Sequence, residues 1–276
     1  NYLTYQRTWS KPVATEDTHA RAVWGLAHVI AYANNSRRRA AAAHLMGAAT
    51  PPIASFSSPR AWALGVLAIQ TYLRMYPGDT MFRKERGSLA HRLFEQYQAN
   101  AADDWPWIED RLTYDNARIC QALIEAGQWL PDAEMAQAGL RSLKWLDELQ
   151  TAEQGYFVPI GSNGWYVRNG TRARFDQQPI EASSFLDACL TAFRLTKDEY
   201  WLVATRRAFE WFLGRNDLNL PLYDYVTGAC CDGLHPDRVN QNQGAESVIC
   251  WLMSLMAMYE LQQEFDSQRG VEKNER

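Results

Sequence analysis

"EASSFLDACLTAF" (Glu181–Phe193) and "EYWLVATRRAFEWFLG" (Glu199–Gly214) follow one another in the chain and read as helices of two kinds. The first carries small and apolar side chains on nearly every face. The second gathers its apolar residues into a narrower stripe and carries charge elsewhere. A helix that is apolar all round is buried, whereas an amphipathic one faces solvent on one side. The pair therefore reads as an inner helix backed by an outer one.

The same alternation runs along the whole chain. Apolar periodicity is helical nearly everywhere, with about nine long helices starting near Thr18, Ser36, Ser58, Asp79, Tyr114, Asp132, Pro179, Lys197 and Ala245. The odd-numbered ones are "ARAVWGLAHVIAYA", "PRAWALGVLAIQTYL", "NARICQALIEAG", "EASSFLDACLTAF" and "AESVICWLMSLMAMY". The even-numbered ones, such as "SRRRAAAAHLMG" and "MFRKERGSLAHRLFEQY", are charged and amphipathic. Such alternation predicts an all-α toroid, with an inner wall and an outer sheath. Three inner helices also place an Arg early, at Arg21, Arg60 and Arg118, followed by Gly or Ala with Leu. Hairpin repeats of roughly 40 to 65 residues suit a toroid; the alternative is an irregular α-bundle with chance similarity. Strand-like alternation is confined to Tyr156–Ile160 and Trp165–Val167, expected as small hairpins within loops. A single domain over 1–264 is expected, with 265–276 as a disordered tail.

Composition narrows the function classes. Hydrophobic residues make up 47% of the 276, enough for a sizeable core. Eleven Trp and 13 Tyr exceed what a core of this size needs, and flat aromatic faces also line sugar-binding clefts. A net charge of -4 gives no global attraction to nucleic acid or anionic membrane, and Arg37–Arg39 reads as a solvated outer face. No apolar run approaches the roughly 18 residues of a membrane span. The chain opens at Asn1 without Met and without a signal-peptide pattern, which leaves room for upstream sequence. The five cysteines are odd in number and lack zinc-site spacing. These features predict a cytoplasmic protein with no metal and no cofactor.

The links are unequal. Inner-to-outer links are short, whereas the outer-to-inner links Thr50–Ser57, Asn100–Thr113, Thr151–Gln178 and Arg215–Gly244 are long and polar. In an antiparallel ring all four emerge above the N-termini of the inner helices, and loops that long usually carry function. There the polar residues cluster. The first opening offers Asp17, His19 and Arg21; the second, Arg60; the third, Trp107, Glu109, Tyr114, Asp115, Asn116 and Arg118. The fourth offers Trp165, Tyr166, Arg168, Asp176, Gln177, Gln178 and Glu181, and the fifth Tyr223, Asp232, Asn242, Gln243 and Glu246. Ordinary capping needs about one side chain per helix and accounts for Asp132, Asp198 and Ser58; Asp176 is itself a candidate cap. The surplus fits a polyhydroxylated ligand: acids and amides for hydroxyls, Trp and Tyr for C–H faces. Phosphate-binding Gly loops and a G-x-S-x-G elbow are absent from the sequence. Glycoside hydrolysis needs two carboxyl groups. Asp115 and Glu181, on neighbouring inner helices, are the first candidates, with Asp176 third.

The alternating pattern, with aromatics and acids over the inner N-termini, resembles the six-hairpin (α/α)6 toroid of glycosidase-like proteins. "WPWIEDRLTYDNARICQALIEAG", "GWYVRNGTRARFDQQPIEA", "WFLGRNDLNLPLYDYVTGACCDGL" and "VNQNQGAES" are similar to a bacterial family of carbohydrate-active helical proteins, often labelled glycosyltransferase-like. The resemblance spans Thr15 to Tyr259 and implies polysaccharide or mannoside metabolism. One departure stands out: a complete ring has twelve helices. The shortfall implies a missing N-terminal part, an open ring, or closure by Asn1–Ala14. The leading expectation is a glycoside hydrolase acting on an oligosaccharide or polysaccharide. A sugar 2-epimerase would need paired His residues, here His19 and His235. A non-catalytic glycan-binding or glycosyltransferase-associated module is the third possibility.

Overall fold

The computed structural model describes residues 3–9 and 15–274, with side chains described as far as residue 267. Residues 1, 2 and 10–14 of the expected closing segment, and 275–276 of the expected tail, lie outside the described residues. The helices are α1 (Glu16–Tyr32), α2 (Ser36–Ala49), α3 (Pro59–Met75), α4 (Thr80–Asn100), α5 (Asn116–Trp129), α6 (Ala133–Leu149), α7 (Pro179–Thr196), α8 (Tyr200–Phe212) and α9 (Ala245–Asn274). A short 3-10 turn, Pro51–Ser55, precedes α3. The strands are two residues each: β1 (Arg111–Leu112), β2 (Tyr166–Val167), β3 (Gly233–Leu234) and β4 (Val239–Asn240).

The helices start where their caps put them. Thr15, Asn35, Asp79 and Asp132 each accept a backbone N–H three residues on, at α1, α2, α4 and α6. Asp198 accepts from the Tyr200 N–H at α8. Ser58 departs from expectation. It makes no side-chain capping bond; its own N–H is held by the Glu16 carboxylate at 2.8 Å.

The chain divides into two compact units, Asn1–Glu109 with Arg118–Ser142, and Asp110–Ala117 with Leu143–Arg276. In the first, α3 is deeply buried: fourteen of its seventeen residues are buried, against six of twenty-one in α4. Leu64, Val66, Leu67 and Ile69 each contribute roughly 1.5–3 kcal/mol by leaving water. Ala20, Ala61 and Leu64 form a small cluster, with Trp24 and Phe56 packed on it. The facing parts of α5 and α6 approach so closely that a Cβ at Gly139 would lie 2.8 Å from the Cys120 carbonyl oxygen.

In the second unit α7 is buried over thirteen of its eighteen residues. The amphipathic α8 turns Trp201, Ala204, Thr205, Ala208, Trp211 and Phe212 inward. The inner–outer distinction thus holds for α3/α4 and α7/α8. It weakens at the first and last helices: α1 exposes Val29 and Tyr32, and α9 exposes Ile249, Leu252, Met256 and Tyr259. α1 packs on α2 and α3, and α9 on α7 and α8.

The loop strands pair differently from expectation. Tyr166–Val167 forms no hairpin of its own; it pairs antiparallel with β1 in the register Arg111↔Val167 and Leu112↔Tyr166. Tyr156–Ile160 makes only the isolated bridge Thr151↔Phe157, with Phe157, Val158 and Ile160 all buried. The long links Thr151–Gln178 and Arg215–Gly244 meet within this second unit.

Candidate functional site

The opening of α7 is built on a single backbone bridge. Gln177 and Leu234 exchange N–H···O bonds of 3.0 and 2.9 Å. Gly233 makes this possible, since a Cβ there would lie 2.4 Å from the Gln177 carbonyl oxygen. Side chains alternate along extended chain. Gln177 and Leu234 therefore point inward together, both fully buried, and their neighbours Asp176 and His235 point the other way. There the His235 Nδ1 lies 2.5 Å from the Asp176 Oδ1, with both side chains partly open to solvent, 27% and 37%. Asp176 does not cap α7; the N-cap residue is Gln178, half-buried and without a capping bond, and Pro179 takes the first turn. The Phe175–Asp176 peptide is cis.

Gln177 spends its amide on the fold. Its Oε1 accepts the Trp211 indole N–H at 2.8 Å, and its Nε2 donates to Asp217 Oδ2 and to the Arg174 carbonyl. Asp217 Oδ1 accepts from the Tyr156 hydroxyl at 2.8 Å and pairs with Arg174. Burial, reinforced by Asp217, raises the Tyr156 hydroxyl above its ordinary range. Four segments are thereby locked together beneath the Asp176–His235 pair. Sequence reading did not single out Asp217: in "GRNDLN" it looks like any loop acid.

In the first turn of α7, Glu181 meets the start of α5. Its Oε1 accepts the Asp115 backbone N–H at 2.5 Å, and its Oε2 lies 3.4 Å from the Asn116 amide. Asn116 also closes a local ring with Thr113, accepting its N–H at 3.0 Å and donating to its carbonyl at 2.7 Å. Asp115 adopts a left-handed backbone, φ +52°, a region Asp tolerates better than most residues. Asp115 and Glu181 are 1% and 3% exposed. The two foremost carboxyl candidates are thus brought together by one short contact.

The loop before α9 forms its own polar network. Asp224 accepts from Gln243 Nε2 and the Val226 N–H, and these bonds hold its carboxyl down at about 2. Burial pushes Asp232 up, but bonds from Asn242, Ser247 and the Gly244 N–H together outweigh it and leave its carboxyl below the usual value. Tyr223 is half-buried against Trp251 and Tyr225; Asn242 and Glu246 are exposed. Tyr114, Trp165, Tyr166 and Arg168 are half-buried, and the Arg168 N–H reaches the Asp110 carbonyl.

The candidates of the first unit are engaged within it. Asp17 pairs with Arg21 at 2.9 Å, and His19 Nε2 contacts the Ala49 carbonyl at 2.6 Å with its ring edge-on to Phe56. Arg60 pairs with Glu109 at 2.5 Å. Arg118 lies over the Trp24 ring at 4.7 Å and donates to Gln121. Trp107 is fully buried. Among the described residues no three His, Cys, Asp or Glu side chains gather as metal ligands, and no helix is long and apolar enough to cross a membrane.

No protein-family model matches the chain, and no curated protein matches it. Solved structures do. An unsaturated glucuronyl hydrolase from Bacillus sp. GL1 matches with a TM-score of 0.62 at 15% identity, over 90% of this chain and 69% of the other. A GH76 α-mannanase of Bacteroides thetaiotaomicron gives 0.60 at 13%, over 94% and 73%. A D-mannose isomerase gives 0.61 at 11%, over 87% and 71%. The chain spans 58% of the length of a heparin-specific unsaturated glucuronyl hydrolase that it also matches. At such identities the likeness concerns the fold. This chain has the all-α, alternating inner–outer fold of the six-hairpin glycosidase-like toroid enzymes.

Proposed function

We propose that this chain is a glycoside hydrolase acting on an oligosaccharide, a mannoside among the first to test, with Asp115 and Glu181 as its carboxyl pair. The observation that carries the reading is the meeting of these two acids at the starts of α5 and α7, through the Asp115 N–H on Glu181 Oε1. Glycosidases of this fold, the glucuronyl hydrolase and the mannanase, support it.

The chemistry requires one carboxyl group to protonate the leaving oxygen and the other to attack the anomeric carbon or activate water. Glu181 accepts N–H donors on both oxygens, which suits the acceptor role; Asp115 then supplies the proton. No cofactor enters this scheme. Buried free thiols at all five cysteines favour a reducing, cytoplasmic setting.

Incubation with a panel of neutral and acidic oligosaccharides, scored for binding and for product release, tests the proposal. Release by the wild type, lost in Asp115→Asn and Glu181→Gln, is expected. Binding without release would favour a non-catalytic glycan module. A sugar isomerase is the second reading, favoured by the Asp176–His235 contact and by the likeness to D-mannose isomerase. It needs a second imidazole, and His19 Nε2 is engaged with the Ala49 carbonyl.

A further inference from the structure

We infer that the Asp176–His235 pair is a sugar-hydroxyl subsite that selects a neutral sugar over a uronate. The inference rests on the glycan-active reading above and names the substrate class of the α7 opening.

The geometry starts from the bridge. Gln177 and Leu234 face inward, so Asp176 and His235 are presented together on the opposite side, accessible to a ligand. Asp176 is a carboxylate, an acceptor only, and it faces Nδ1. A neutral His235 ring must therefore carry its proton on Nδ1, leaving a lone pair on Nε2. Among the described residues Nε2 has no hydrogen-bond partner. A lone pair held in fixed direction accepts a hydrogen bond from a hydroxyl and has nothing to offer a carboxylate.

Charge points the same way. The α8–α9 loop brings Asp224 and Asp232, both with lowered carboxyl pKa, and the exposed Glu246 follows at the start of α9. Two cations of this region already have carboxylate partners. Arg174 pairs with Asp217, and Arg238, on the turn after His235, pairs with Asp237. A uronate carboxylate placed beside Asp176 would meet like charge with no cation assigned to it, and like charges in a partly desolvated site repel. A neutral hexose would meet acceptors at Asp176 and at the His235 Nε2.

Two probes separate the alternatives: a neutral mannooligosaccharide and a disaccharide ending in an unsaturated uronate, titrated against the full chain by calorimetry. The neutral sugar should bind more tightly by about tenfold or more, the effect of roughly one well-made polar contact. His235→Ala should erase most of that preference, and His235→Gln, which keeps an acceptor, should restore part of it. Asp176→Leu should weaken neutral-sugar binding, because no acceptor then holds the ring with its proton on Nδ1. Imidazole 15N shifts at neutral pH read that tautomer directly, whether or not any sugar is cleaved. A wild-type ring protonated on Nε2, or tighter uronate binding, overturns the inference while leaving the hydrolase reading intact. Neutral-sugar binding without turnover sustains the subsite and sinks the hydrolase. Binding of neither probe removes both.

Discussion

The openings of α1 and α7 look alike in sequence, each an acid-rich stretch with more hydrogen-bonding groups than a cap requires, yet the fold uses them differently. At α1, Glu16 ties down the Ser57 and Ser58 N–H groups, Asp17 pairs with Arg21, and His19 meets the Ala49 carbonyl. The Glu16 and His19 bonds fasten α1 to the end of α2 and to the link that follows it. At α7 only Gln177 is consumed that way. Asp176 is left with a half-buried histidine, and Glu181 with the start of another inner helix. Polarity at a helix opening is thus evidence of function only after the fold has taken its share.

The contrast can be broken at several points. The largest effect is expected at Glu181. Glu181→Gln keeps the shape of the side chain but removes the charge, and should lower turnover by roughly 10²–10⁴-fold, the usual worth of a positioned acid or base. Steady-state product release measures it, and Asp115→Asn should behave alike.

Gln177→Ala sharpens the difference between scaffold and site. It strands the buried Trp211 N–H and one oxygen of Asp217, at ~1–3 kcal/mol per unsatisfied group. A fall in melting temperature of roughly 5–10 °C follows for a domain of this size. An unchanged melting curve would mean that the amide is not structural.

At α1 the expected effects are smaller. Glu16→Ala removes an acceptor shared by two backbone N–H groups and should cost about 1 kcal/mol, as loss of a cap does. His19→Ala should change stability by no more than that and leave turnover unaltered.

The smallest effect is a titration. Asp224 has a depressed carboxyl pKa in the folded chain, about 2. A depressed value means that its contribution is present above the ordinary carboxylate range and is lost as pH falls through about 2. The carboxyl resonance of Asp224 should therefore show a midpoint near that value, with the Val226 amide responding in parallel and the response absent in Asp224→Asn. A midpoint at the ordinary value would show that the Gln243 bond is not formed in solution.

Much of this was legible beforehand. Inner and outer helices follow from how many faces of each are apolar, which is why α3/α4 and α7/α8 match expectation so closely. The long links were visible as polar stretches between periodic ones. What the residues could not state is register. Nothing in "FDQQP" or "GLHPD" says that Gln177 lies opposite Leu234, yet that one bridge decides that Gln177 is scaffold and that Asp176 meets His235. Nor could periodicity show that Trp107, so suggestive of a sugar platform beside Glu109, is wholly buried. Helices α1 and α9 carry inner-type sequences without inner-type burial, because burial depends on neighbours and not on composition alone.

The most direct measurement sets the two openings against each other: the rate of product release from a cleaved oligosaccharide by Glu181→Gln and by Asp17→Asn, each normalised to its folded fraction. A loss of roughly a hundredfold or more at α7, with near wild-type turnover at α1, is the predicted result. Equal turnover in the two variants would contradict the assignment of the chemistry to the meeting of Asp115 and Glu181.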